Sequence, residues 1–123
     1  MDRKRFETLV TAAVDAIPEP FLAYIENVVF LVEMEPDAET LADMGMEEGD
    51  DLLGLYQGDS LSARGVDHWG MLPDQIILFQ RPIERESAET GHPVVRVIRD
   101  TILHEVGHYF GLSEEELAEM GLE

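Results

Sequence analysis

The sequence predicts an α+β fold in which a small β-sheet is covered by an N-terminal helix and by one long helix near the C-terminus. Three observations carry that expectation. Apolar residues recur at helical spacing at both ends of the chain, three short β-branched or aromatic runs lie between them, and Gly and Pro punctuate the boundaries. The chain has 123 residues. A single domain, residues 1–123, is therefore expected, burying roughly two thirds of its unfolded surface without staples.

Taken in order, Phe6, Leu9, Val10, Ala13 and Ile17 share one face of a first helix that ends before Pro18. Pro18 and Pro20 mark a turn. Residues 27–34, NVVFLVEM, read as a largely buried strand. The acidic stretch after it holds a short helix within residues 38–46, AETLADMGM. Residues 51–57, DLLGLYQ, form a second strand, in which Gly54 signals a bulge or a close approach of two backbones. Residues 58–73 read as an irregular connection with Trp69, Met71 and Leu72 as its apolar cover, and residues 75–81, QIILFQR, as a third strand closed by Pro82. The polar run at residues 83–91, IERESAETG, is expected to be a loop. Pro93 then opens the longest helical pattern, carried by Val94, Val95, Ile98, Ile102, Val106, Tyr109 and Phe110 and stopped at Gly111. Ser113 and Glu116 form a capping box for a short last helix, residues 114–120, with Met120 as an ordinary core residue.

Charge narrows the range of partners. With 27 acidic side chains against 8 basic ones the formal charge is −19. Such a field repels nucleic acid and anionic membranes, and it favours cations, metal ions and basic peptides among them. No apolar run approaches the length needed to cross a bilayer. The opening residues read as an amphipathic helix, not a signal peptide, so a cytoplasmic location is expected. There is no cysteine, which leaves imidazole and carboxylate as the strong metal-ligand types.

Only four histidines exist, and two of them, His104 and His108, flank Glu105 in the pattern H-E-x-x-H inside the long helix. Residues four apart share a helical face, so both imidazoles can reach one ion. From the next position around the helix, Glu105 can take a proton from water at that ion, which fits it as a general base. A catalytic zinc site needs a third protein ligand. Gly111 lets the chain reverse after the helix, which brings Glu114 back towards the ion, with Glu115 and Asp100 as the alternatives. Asp100 lies one turn before His104 and is better suited to orient its imidazole. His92 starts the helix too far along its axis to join the same ion. His68 reads as a surface-loop residue.

The run HEVGHYFGLSEEEL resembles the active-site signature of the zincin superfamily, and most closely the short bacterial minimal zincins. DLLGLYQG, QIILFQRPIER and VVRVIRDTILHEVGHYFGL resemble that family as well. The resemblance implies a zinc-dependent peptidase with His104, His108 and Glu114 as ligands, Glu105 as general base and Gly111 as the turning glycine. Glutamate at 114 departs from the aspartate common there in that family, and larger metzincins carry histidine. The resemblance also implies a sheet behind the helix with one exposed strand edge along the cleft, where a peptide substrate pairs. QIILFQR is the strand expected to provide that edge. The rival expectation is a non-catalytic module that binds metal or peptide on the same scaffold. A third is a purely structural histidine clamp.

Overall fold

A computed structural model describes residues 1–19, 21–25, 27–47, 51–58, 74–109, 111 and 115, with the backbone alone for residues 21, 24, 108 and 109. The elements run α1 (Arg3–Asp15), α2 (Phe21–Tyr24), β1 (Val28–Glu33), α3 (Ala38–Asp43), β2 (Gly54–Gln57), β3 (Asp74–Phe79), α4 (Gln80–Thr90) and α5 (Val94–Tyr109). The expected α+β architecture is what the chain adopts. Of the expected C-terminal helix, only Glu115 is described, and it is helical and exposed. None of the described helices is long and apolar enough to cross a membrane.

α1 begins where the Asp2 carboxylate accepts the Arg5 N–H at 2.8 Å, filling one of the donors that a helix start leaves over. Its Phe6, Val10 and Ala13 are buried against α5, as the apolar spacing requires. α5 in turn buries Val97, Ile98, Ile102, Leu103 and Val106. The core is the layer where these two helices meet Ile76 and Leu78 of β3 and Ile83 of α4.

The sheet has the order β1-β3-β2, with β1 parallel and β2 antiparallel to β3. This corrects one expectation. QIILFQR does not edge the cleft, because β3 is the central strand. Its Ile76, Ile77, Leu78 and Phe79 are all buried, and a strand covered on both faces reads as a continuous apolar run. Among the described residues the sheet edges belong to β1 and β2.

The second correction concerns residues 83–91. They are not a loop but most of α4, which begins at Gln80 directly after β3. Pro82 sits in the first turn, where its missing N–H has no intrahelical acceptor to lose. Gly91 closes the helix in the left-handed region at φ 79°, donating its N–H to Ser87 O at 2.9 Å. Only Gln80, Pro82 and Ile83 of α4 are buried, so the helix carries no apolar stripe to announce it. The short helix α2 follows the expected Pro18–Pro20 turn, of which Pro20 lies outside the described residues.

Candidate active site

α5 and β2 come together at Gly54. A Cβ built on that residue would stand 2.6 Å from Cγ2 of Thr101 and 3.3 Å from the Ile77 carbonyl oxygen. The expectation of a close backbone approach is therefore met, and no bulge is needed to explain the glycine. The Thr101 methyl that fills this space is held in place because the hydroxyl donates to Val97 O at 2.7 Å.

This contact lays β2 beside the motif residues. Beneath the gap between them is a cleft of about 410 Å³. Leu52, Leu53 and Gly54 form one wall. Val97, Asp100, Thr101, His104 and Glu105 of α5 line the cleft too, with Glu86 and Thr90 of α4 and His92. The α4 wall is not legible in the sequence, where its polar residues look like loop. The signal that could have found it is Gly91 before His92-Pro93, a helix stop followed by a helix start. His92, not expected to share an ion with His104, lines the same cleft.

His104 is half-buried, and its Nδ1 lies 2.9 Å from the carbonyl oxygen of Asp100. A carbonyl only accepts, so the contact places a ring proton on Nδ1, and in the neutral imidazole Nε2 is then the nitrogen with the lone pair. Metal-binding histidines commonly have their second nitrogen anchored in this way. Glu105 is also half-buried, and its Oε1 accepts the main-chain N–H of Tyr56 at 3.0 Å. The Tyr56 hydroxyl donates to Asp74 Oδ2 at 2.9 Å, tying β2 to the start of β3.

The Asp100 carboxylate is engaged elsewhere. Its Oδ1 accepts from Arg99 Nε and Nη2 at 3.1 and 2.9 Å, and Oδ2 stands 3.7 Å from Arg96 Nε. Asp100 thus orients His104 with its backbone and not with its side chain. His108 belongs to α5 by its backbone, four residues after His104. Its side chain, together with Glu114, His68, Trp69, Met71, Leu72 and Met120, lies outside the described residues. Among the described residues no three His, Asp or Glu side chains gather closely enough to hold a metal ion, and two of the three expected ligands lie outside that set. The described donor, an imidazole with its Nδ1 anchored, fits a divalent ion such as zinc.

Three comparisons bear on this arrangement. A search of curated proteins finds no match. Among solved structures the chain resembles a conserved hypothetical protein from Thermo thermophilus, with a TM-score of 0.57 and 23% identity over 97% of this chain and 99% of the other. That likeness shows a shared fold. The model of a family described as zincin-like metallopeptidases matches residues 25–122, a span from just before β1 to the end of the motif region and beyond. A match over the whole sheet and the whole of α5 leaves one assignment: the chain belongs to the zincin-like metallopeptidase family.

Proposed function

We propose that the protein hydrolyses peptide bonds with the help of a zinc ion held by His104, His108 and Glu114, with Glu105 as general base. The observation that carries this reading is the shared cleft of His104 and Glu105. Two neighbouring side chains, each with one atom anchored to backbone, face a space large enough for a segment of peptide. When bound, zinc supplies Lewis acidity to a carbonyl and makes water at the site acidic near neutral pH.

The chain's own residues do the rest. Glu105 takes the proton from the attacking water and delivers it to the leaving amine. The β2 edge aligns the substrate backbone. Leu53 O accepts from Phe79 N–H at 3.0 Å, so residues 53, 55 and 57 turn their polar groups towards β3, and Gly54 and Tyr56 turn theirs away from it. The outward Gly54 N–H and C=O suit an extended peptide lying along the cleft. The apolar wall of Leu52, Leu53 and Val97 takes a side chain, and the charge of −19 favours basic peptides at encounter.

The experiment is metal analysis joined to a peptide screen. Protein purified without added metal is assayed for zinc and then for cleavage of a mixed peptide library, with and without chelator. About one zinc per chain and chelator-sensitive cleavage are expected, with both lost in His104→Ala. Zinc at about 100 times its Kd also stabilises a protein that binds it only when folded by about 2.7 kcal/mol, so melting temperature should fall on chelation. Zinc binding with no cleavage of any peptide would overturn the hydrolase and leave the metal-binding module.

A further inference from the structure

From the contact between β2 and α5 we infer that the main-chain N–H of Tyr56 is the positioning group for the proposed base, fixing the plane of the Glu105 carboxylate. This rests on the peptidase reading above and extends it to a residue outside the H-E-x-x-H motif.

Three features of the structure converge on that one amide. Tyr56 is a position whose N–H faces away from β3, so its donation to Glu105 takes nothing from the sheet ladder. Gly54, two residues earlier, lets β2 lie against Thr101 at a distance no side chain would allow, and this brings the amide to 3.0 Å from Oε1. The Tyr56 hydroxyl reaches Asp74 Oδ2 from the same residue and holds the strand against sliding.

A carboxylate on a two-carbon stem rotates about its terminal bond with little preference. Its basicity is useful only when a lone pair points at the proton to be removed, and small misplacements of reacting groups cost large factors in rate. An amide donating to Oε1 removes that rotation. The strand that aligns the substrate therefore aligns the base too, and both are referred to one piece of backbone.

The test compares Tyr56→Pro with Tyr56→Ala in zinc-loaded protein, using an internally quenched peptide mixture. Both variants lose the ring and the hydroxyl, and only proline lacks the N–H. Proline is tolerated where a strand N–H faces away from its partner. The expected result is a kcat for the proline variant about tenfold to a hundredfold below the alanine variant, with KM and zinc content alike. If circular dichroism shows the proline variant unfolded, a main-chain ester at position 56 removes the same N–H and is compared with wild type by the same readout. Equal kcat with and without the N–H overturns the inference while leaving the peptidase intact. Absence of turnover in zinc-loaded wild type, which is assayed first, overturns the peptidase reading and the inference together.

Discussion

His104 Nδ1 and the carbonyl oxygen of Asp100 lie 2.9 Å apart, within a single turn of α5. Because the acceptor is backbone, the helix itself sets which nitrogen of His104 faces the cleft, whatever side chain stands at position 100. Asp100→Asn is therefore expected to keep zinc affinity within about tenfold, although losing a partner that orients a ligand often costs about 10- to 100-fold. Competition against a chromophoric chelator measures this. A loss well beyond that range would mean that the carboxylate, not the carbonyl, governs the ring.

Glu105→Gln keeps an oxygen able to accept from Tyr56 N–H but cannot take up a proton from water. Turnover should fall by about 100-fold or more, since general-base catalysis contributes on that scale. Zinc content and melting temperature should stay where they are in wild type. Undiminished initial rates would remove Glu105 from its proposed role.

Gly54→Ala puts a methyl 2.6 Å from Thr101 Cγ2. Forcing an extra carbon into such a contact costs about 1–3 kcal/mol. Thr101→Ser deletes that Cγ2 and retains the hydroxyl that donates to Val97 O. The double variant should recover most of the loss, and urea unfolding reads the difference. Purely additive losses would show that the two residues do not meet.

Asp37 caps α3 by accepting the Thr40 N–H at 2.7 Å, and this bond holds its carboxyl below its ordinary pKa of 3.8. The folded pKa is the lower one, so the contribution is present above 3.8 and is lost as pH falls through the folded value. Asp37→Asn offers an acceptor that does not titrate. The stability gap between wild type and variant should be flat through neutral pH and should narrow only below the ordinary carboxylate range. A gap that widens on acidification would reverse the sign assigned to this cap.

The elements whose signal is periodic are legible in the sequence alone. Phe6, Val10 and Ala13 at the spacing of one helical face mark α1, and the run from Val94 to Tyr109 marks α5 with its motif. Gly54 is legible as a close approach because a glycine inside an apolar strand has few other uses. α4 is not, because a helix that buries only its first turn looks like polar loop. The central place of β3 is hidden for a related reason. Four buried residues in a row say that both faces are covered, but they do not say by which neighbours, and β3 pairs with one strand far back in the chain and one nearer. At the site, the motif histidine and glutamate are legible from spacing. Their anchors, Asp100 O and Tyr56 N, are backbone atoms, which every residue possesses and no residue type advertises.

The sheet order has a consequence for how the chain is made. β1 and β2 do not pair with each other, and each has β3 as its neighbour. While the ribosome is still adding residues 34 to 73, β1 therefore has no mate among the described residues, and its Val29 and Leu31 side chains are exposed even in the finished fold. Nascent chains with open apolar strands are prone to join one another. Mutual repulsion between copies, whose residues 1–73 already carry 16 acidic against 4 basic side chains, opposes that encounter until β3 emerges. The acidity of this protein then serves the interval before there is a cleft at all.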